Sequence, residues 1–296
     1  MIFVFAEDFP LLRRKMKKGI ALEGGAMRGM FTAGVLDVFM ENGIKFDGAA
    51  GISAGATFGC NLKSRQIGRV IRYNKRYCKD WRYGSFRSWI LTGDLYEKKF
   101  CYETLPDELD RFDTVIYRKN PMEFFVGATN VDNGRPVFYK AENGDSRDLT
   151  WMRASASMPV VSRVVEVDGY RLLDGGISAP VPLHFLESRG YDRIVVLLTQ
   201  PKGYRKEQLK LMPVISFLLR KYPEVVHAMK VRYLRYNHLM EEIDRKEEMG
   251  NILVIRPPQA LNIGSVCHDP VELERVYQVG RQEGLRQLND VRAFLK

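Results

Sequence analysis

Residues 51–55, Gly-Ile-Ser-Ala-Gly, constrain the fold of this chain more than any other stretch. They fit the pattern G-x-S-x-G, in which a serine occupies a sharp turn between a buried strand and a helix. The small residues of segment 44–51 predict the strand, and residues 54–62 predict the helix. The pattern alone also arises by chance, but this context places Ser53 at a helix N-terminus, where free N–H groups favour a developing negative charge.

The length and the apolar runs limit the organisation of the chain. Its 296 residues suffice for one large α/β domain or two small ones, and we predict an extension over residues 1–17 and one domain over residues 18–296. No apolar run approaches the roughly 18 residues of a membrane-spanning helix, so we expect a soluble or peripheral protein. Acidic residues follow the short apolar start, which predicts no signal peptide and a cytoplasmic location.

The cysteines suggest neither a metal site nor a disulfide framework. No C-x-x-C pair and no nearby histidine spacing accompanies them, so we expect reduced core thiols and no metal or cofactor. The four cysteines are Cys60, Cys78, Cys101 and Cys267.

Positive charge is concentrated in one part of the chain, whose overall net charge is +10. Between Lys63 and Arg87, nine basic residues stand against a single acid, Asp80. Aromatic residues alternate with the charges across segment 65–112, which we interpret as a covering segment. The residues support two interpretations of this segment equally: a solvated helix face, and a surface that faces anionic lipid. We do not expect nucleic acid as a partner, because no recognition motif accompanies the charge.

A second unit of strand, glycine-rich turn and helix precedes Ser53. Residues 18–23 predict the strand, Gly24–Gly29 the turn, and residues 30–42 the helix. Successive glycines let backbone N–H groups converge on an oxyanion or a phosphate. A dinucleotide site fits poorly, because Ala26 occupies the position of its second glycine.

The remaining elements complete an α/β pattern. Residues 122–129 and 136–139 predict antiparallel strands around an Asn-Gly turn, and residues 191–199 predict a buried parallel strand. Segment 201–296 is expected to hold C-terminal helices and the last strand. Within it, residues 211–219 are apolar between cations, and we favour a helix covering the sheet over an interfacial segment.

Asp174 ends a predicted strand immediately before Gly175 and Gly176. Asp-Gly is a common turn dipeptide, so the residues alone slightly favour a plain turn aspartate. A Ser-Asp-His triad is an alternative, since several histidines follow Asp174 in the chain. None of these histidines lies in a short glycine-framed loop after a strand: His184, His227, His238 and His268.

Three motifs in series, Gly24–Gly29, Gly51–Gly55 and Asp174–Gly176, resemble those of the patatin-like phospholipase family. The likeness extends from about residue 18 to residue 199, and more weakly to residue 257. It implies a three-layer α/β/α sandwich with a mostly parallel central sheet, and a catalytic Ser53–Asp174 dyad. It also implies two further sets of residues. The oxyanion-hole residues are Gly24, Gly25 and Ala26, and the supporting residues are Arg28, Gly29, Gly51, Gly55, Gly175 and Gly176.

One position departs from the family pattern. The family usually has three glycines where this chain has Gly24-Gly25-Ala26. Alanine keeps its backbone N–H, so the oxyanion hole survives if this residue does not need a positive φ.

Three functions follow, in order of preference. The first is a lipid acyl hydrolase of the phospholipase A or lysophospholipase type, in peripheral contact with anionic membrane. The second is a soluble carboxylesterase acting on small acyl esters with the same residues. The third is a catalytically silent protein that binds anionic lipid or nucleic acid.

Overall fold

An eight-stranded sheet forms the centre of the computed structural model, which describes residues 16–296. The predicted extension therefore lies outside the described residues, except for Met16 and Lys17. The strands are β1 Lys18–Leu22, β2 Gly48–Ile52, β3 Glu123–Asn130, β4 Pro136–Lys140, β5 Val165–Val167, β6 Tyr170–Asp174, β7 Arg193–Leu197 and β8 Ile252–Ile255. Strands β1, β2, β3, β7 and β8 pair in parallel, which confirms the mostly parallel sheet.

Helices cover both faces of this sheet. The helices are α1 Gly29–Glu41, α2 Ala54–Ser64, α3 Arg69–Tyr77, α4 Phe86–Thr92, α5 Thr114–Lys119, α6 Ser146–Ser155, α7 Leu183–Ser188, α8 Met212–Leu218, α9 Pro223–Glu248, α10 Pro270–Arg286 and α11 Leu288–Phe294. A π-helical segment spans Phe100–Leu109.

The alternation of side chains along the strands separates two layers of core. Ile20 and Leu22 of β1 pack with residues of α1, α2 and α10, whereas Ala21 packs with residues of α7 and α9 on the opposite face. The three-layer α/β/α architecture predicted from the resemblance is thus confirmed.

Strand β3 holds two other strands end to end along one of its edges. Gly127 of β3 pairs with Ile52 of β2, and the next residue, Ala128, pairs with Asp174 of β6. β4 pairs with β3 over positions that overlap both, so it must occupy the opposite edge. β2 and β6 therefore meet head to head, and Ser53 follows Ile52 at this junction.

Helices α1 and α10 approach each other at two glycines. A Cβ on Gly34 would collide with the Tyr277 carbonyl oxygen, and a Cβ on Gly280 would collide with the Phe31 carbonyl oxygen. Helix α10 is thereby packed against α1, the helix that follows the glycine-rich turn.

The basic segment is less exposed than its charge count predicts. Lys63 and Arg69 are buried, and they donate to the carbonyl oxygens of Met122 and Asp110. Three more cations of the segment pair with acids: Arg72 with Asp110, Lys75 with Glu274, and Arg82 with Asp80. Five of the nine basic residues thus have structural partners, and the positive surface is smaller than expected.

Among residues 16–296, no helix combines the length and the apolar character needed to cross a bilayer.

Candidate active site

Ser53 occupies a sharp turn between β2 and α2. Its backbone lies at φ 54° and ψ −121°, a conformation that non-glycine residues rarely adopt. The turn is tight enough that a Cβ on Gly51 would collide with the Gly55 carbonyl oxygen, and a Cβ on Gly55 with that of Leu22. The two glycines therefore provide space that any other residue would fill.

The Ser53 hydroxyl donates a hydrogen bond of 2.7 Å to Oδ2 of Asp174. The other carboxylate oxygen, Oδ1, accepts from the Gly176 N–H at 2.7 Å. A Cβ on Gly175 would collide with the Gly127 carbonyl oxygen, so this loop also needs glycine for close approach. Although 121 positions separate them in the chain, Ser53 and Asp174 thus form one buried hydrogen-bonded pair.

Burial raises the pKa of the Asp174 carboxyl above its ordinary value. The hydrogen bond from Ser53 and the positive charge of Arg232 oppose this shift without cancelling it. A carboxylate with a raised pKa is a stronger base, which suits proton removal from a hydroxyl.

The glycine-rich turn lies directly against Ser53. A Cβ on Gly24 would come within 3.0 Å of the Ser53 Cβ, and Ala26 lines the same pocket as Ser53. The Gly24 N–H donates to the Pro180 carbonyl oxygen at 3.4 Å. Within residues 16–296, the N–H groups of Gly25 and Ala26 have no acceptor. This geometry favours these two of the three predicted oxyanion donors.

Ala26 adopts φ 48°, which is the left-handed region. An unstrained alanine requires that residue 26 not have a positive φ, and the structure does not meet this requirement. The N–H of Ala26 is nevertheless present, so the substitution strains the backbone without removing a donor.

The two remaining residues of this motif support the turn. The Arg28 N–H donates to the Gly25 carbonyl oxygen at 3.1 Å, and its side-chain Nε is buried without a partner in the described part of the chain. A Cβ on Gly29 would come within 2.9 Å of the Ala54 Cβ, so Gly29 lets α1 begin directly beside α2.

A largely apolar pocket opens beside Ser53, with about 880 Å³ of space including its mouth. Helix α2 forms one wall through Ala54, Phe58 and Cys60, and the covering segment forms another. The wall from the covering segment includes Tyr73, Tyr83, Tyr96, Tyr102, Leu105 and Phe112. The pocket fits an acyl chain that extends from a carbonyl at Ser53.

Several residues near the pair were not predicted as site residues. Ser155 accepts from the Ser53 N–H at 2.8 Å and donates to the Gly127 carbonyl oxygen at 2.6 Å, so it fixes the junction. Arg232 of α9 donates to the Gly176 carbonyl oxygen at 2.7 Å. The sequence predicted only C-terminal helices in this region, and no motif pointed to Arg232.

Lys206 completes a cationic surrounding of Asp174. Burial and the charges of Arg232 and Arg28 lower the pKa of the Lys206 ammonium to about 7. The buried carboxylate of Glu23 accepts from the Tyr236 hydroxyl at 2.9 Å and from the Thr199 N–H at 2.5 Å. The cations around Asp174 and the hydrogen bonds of Glu23 both bring together residues that are distant in the sequence.

The histidines of a Ser-Asp-His triad are not brought to the pair. In the described residues, none of the four histidines hydrogen-bonds to Ser53 or Asp174. His184 contacts Glu242 at 2.8 Å, and His268 contacts the Cys78 carbonyl oxygen. Cys60 lines the pocket, but burial raises the pKa of its thiol to about 12, which leaves it protonated.

One cluster away from the pair has donor atoms that a metal could use. One ligand atom each of His184, Glu187 and Glu242 lies within 4.8 Å of the others. The Lys246 ammonium contacts Glu187 at 2.5 Å and Glu242 at 2.8 Å. The lysine therefore supplies the positive charge that these carboxylates require.

Comparison with known families agrees with this geometry. A family model described as patatin-like phospholipase matches residues 20–186, more than half of the chain and all three motifs. The chain belongs to the patatin-like phospholipase family. A second model, described as a domain of unknown function, matches residues 222–296.

Relatives of this patatin-like chain include one bacterial and several fungal proteins. The uncharacterized protein YjjU of Escherichia coli is 28% identical over 285 residues, covering 92% of this chain and 78% of that protein. Lysophospholipase NTE1 of Candida glabrata is 22% identical, covering 94% of this chain but only 16% of that protein. Lysophospholipase NTE1 of Meyerozyma guilliermondii is 25% identical, covering 94% and 20%.

Among solved structures, VipD from Legionella pneumophila aligns with 94% of this patatin-like chain and 67% of its own. The TM-score is 0.46 and the sequence identity is 13%.

Proposed function

We propose that the chain is a serine hydrolase that cleaves carboxylic ester bonds of lipids, of the phospholipase A or lysophospholipase type. The 2.7 Å hydrogen bond from Ser53 Oγ to Asp174 Oδ2, at the side of an apolar pocket, carries this proposal. Family membership and the lysophospholipases among the relatives support a lipid substrate.

In the proposed first half-reaction, Ser53 Oγ attacks the ester carbonyl carbon while its proton passes to Asp174. The carbonyl oxygen becomes an oxyanion, which the N–H groups of Gly25 and Ala26 stabilise. When the tetrahedral intermediate collapses, the bond to the alcohol oxygen breaks and Asp174 returns the proton to that oxygen. The acyl group then remains on Ser53.

The second half-reaction repeats this exchange with water. Asp174 accepts a proton from a water molecule whose oxygen attacks the acyl carbon. The Ser53 oxygen leaves and receives that proton, and the fatty acid departs. No net proton is held by the dyad after one cycle.

The surroundings of the dyad suit this role. Arg232 and Lys206 place positive charge near Asp174, and this charge opposes the rise that burial causes in the pKa of the carboxyl. The pocket accepts the apolar acyl chain, and we propose that the lipid is presented at an anionic membrane surface. The cytoplasm is our proposed compartment, since all four cysteines are free thiols.

The proposal is tested by assaying wild type, Ser53→Ala and Asp174→Ala in parallel. The substrates are a short-chain chromogenic ester, a lysophospholipid and mixed phospholipid vesicles. We expect turnover of the lipids to be lost in both variants while their circular dichroism matches that of wild type. Full activity of Asp174→Ala would contradict the dyad.

Two other results would select the alternative functions. Turnover of the short ester alone, without stimulation by vesicles, would indicate a soluble carboxylesterase. Salt-sensitive vesicle binding by wild type and Ser53→Ala, without any turnover, would indicate a silent binding protein.

A further inference from the structure

Helix α8 is apolar on both of its sides. Met212 and Leu219 are buried in a cluster with Leu173 and Ile177, next to the loop that follows Asp174. On the other side, Leu211, Val214, Phe217 and Leu218 are each more than half exposed. A helix covering a sheet needs only the first set; the second set is exposed, and the Arg220 guanidinium lies 4.7 Å from the centroid of the Phe217 ring.

Helix α4 has a similar exposed side. Phe86, Ile90 and Leu91 are each more than half exposed. Trp89 holds the helix in place, because its indole Nε1 donates to the Val160 carbonyl oxygen at 3.1 Å. The exposed side chains are therefore fixed on an anchored helix.

These two helices and the residues just before α8 contain an unusual share of the exposed apolar surface. Seventeen large apolar side chains are exposed among the described residues, and eight of them fall within residues 86–91 and 209–218. Scattered exposed residues need no explanation, but a concentration of this kind indicates an interaction surface.

The same loop connects both helices to the pocket. Val160 and Val164 pack against the apolar cluster that contains Met212 and Leu219, and the backbone at Val160 and Val161 accepts hydrogen bonds from Trp89 and Leu95. Met158, two residues before Val160, lines the pocket beside Ser53. Helix α4 and the apolar cluster on the buried side of α8 therefore both contact the loop that begins beside the pocket.

The charges around these apolar residues are positive. No acidic residue occurs in segment 81–93 or in segment 208–222. Arg87, Lys210, Arg220 and Lys221 are exposed in these segments. Such cations are attracted to the anionic headgroups at a membrane surface.

We propose that α4 and α8 form a docking face that inserts into an anionic phospholipid bilayer and brings the pocket to the lipid. The docking face consists of Phe86, Ile90, Leu91, Leu211, Val214 and Phe217. Its apolar centre and cationic flanks match the acyl region and the anionic headgroups of such a bilayer. This inference rests on the proposed function for its choice of lipid as the partner.

The test compares vesicle binding of two matched double variants in the Ser53→Ala background, so that no hydrolysis product accumulates. The docking variant carries Ile90→Glu and Phe217→Glu. The control carries Val271→Glu and Leu285→Glu on α10, whose side chains are comparably exposed. Flotation is measured with phosphatidylcholine vesicles and with an equal mixture of phosphatidylcholine and phosphatidylglycerol.

We expect Ser53→Ala alone and the control to float with the anionic vesicles, and added salt to weaken their binding. The docking variant should bind at least about 10-fold more weakly, because two large apolar side chains no longer enter the bilayer. Equal binding by the docking variant, or equal loss in the control, would overturn the proposal. Failure of the wild type to bind any vesicles would also overturn it. So would light scattering that shows a dimeric wild type and a monomeric docking variant.

Hydrolysis assays distinguish failure of the docking face from failure of the proposed function. With Ser53 restored, the docking variant should hydrolyse a soluble short-chain ester at the wild-type rate but lose turnover of vesicle lipid. If wild type binds anionic vesicles and hydrolyses nothing, the proposed function fails and the docking face stands. If wild type hydrolyses lipid without binding vesicles, the docking face fails alone.

Discussion

At the scale of single residues, the site depends on backbone and charge states that are unfavourable in isolation. Ser53 and Ala26 both have positive φ, and Asp174 is a buried carboxylate whose pKa is raised. Such features persist because the surrounding structure holds them, and they concentrate where function requires them. Their free-energy cost can be measured by substitution.

Asp174→Asn is expected to lower turnover by about 10²- to 10⁴-fold, because the general base is lost. In wild type, burial raises the pKa of folded Asp174, so turnover should fall as pH falls through that raised pKa. The same shift means that the folded state holds this proton more tightly than the unfolded state. Its contribution to stability is full at low pH and is lost as pH rises.

An asparagine at position 174 does not titrate, so its contribution to stability does not depend on pH. We therefore expect Asp174→Asn to raise the free energy of unfolding at pH 8 by about 0.5–2 kcal/mol, and the gain to shrink toward pH 5. Denaturant unfolding at both pH values measures it. A gain that grows as the pH is lowered would contradict the assigned direction of the pKa.

Ala26→Gly is expected to stabilise the fold by about 0.5–1 kcal/mol, because glycine adopts the left-handed conformation without the strain of alanine. Turnover should be unchanged, since the N–H of residue 26 remains. The matched control is Ala293→Gly on the exposed side of α11, which should cost about 0.5–1 kcal/mol. Thermal unfolding of both variants compares them, and a loss in both would show that Ala26 is not strained.

At the scale of elements, helix α2 has two tasks. Its N-terminus presents Ser53, and its side lines the pocket through Ala54, Phe58 and Cys60. One helix therefore sets both the position of Ser53, the proposed nucleophile, and the shape of the pocket proposed for the acyl chain. Changes further along α2 should alter substrate choice without moving the serine.

Cys60→Phe is expected to fill part of the pocket and to lower turnover of long-chain lysophospholipid by about 10- to 100-fold. A short-chain ester should be cleaved at the wild-type rate. The control Cys267→Phe places the same side chain away from the pocket, where the native thiol lies near the Asp269 carbonyl oxygen. Equal turnover of both substrates by Cys60→Phe would contradict the assignment of the pocket to the acyl chain.

The sequence predicted most elements because their signals are local. The apolar runs at β1, β3 and β7 and the Asn-Gly turn before β4 all lie within a few residues of the structure they determine. The prediction for the segment before Ser53 was less accurate, since the strand was predicted over residues 44–51 and is observed at Gly48–Ile52.

The surroundings of the site could not be predicted in this way. The junction on β3 depends on register between strands that are distant in sequence, and Ser155 belongs to it only through that register. Arg232 and Lys206 face Asp174 from the C-terminal third of the chain, where residue pattern indicated only packing. The resemblance supplied Asp174, which residue pattern alone did not.

At the scale of the whole molecule, the C-terminal helices are integral to the hydrolase fold. β8 extends the sheet beside β7, and α10 packs closely on α1, the helix that follows the glycine-rich turn. The packing at Gly34 and Gly280 therefore links the end of the chain to the turn beside Ser53.

Gly280→Ala is expected to destabilise the protein by about 1–3 kcal/mol, because its Cβ would meet the backbone of α1 and force the helices apart. The control Gly264→Ala meets only the Val266 backbone, at 3.1 Å, in an exposed loop. Denaturant unfolding should separate the two variants. Equal stabilities would show that the helices adjust without cost.

The junction on β3 also determines when Ser53 and Asp174 can come together during synthesis of the chain. During synthesis the N-terminal part of the chain emerges first, so Ser53 and its helix leave the ribosome well before Asp174. Strand β3 must then be in place before β6 can pair with it beside β2. In the proposed mechanism, a nascent chain therefore carries its nucleophile without its base, and it cannot attack a nearby membrane until the sheet is complete.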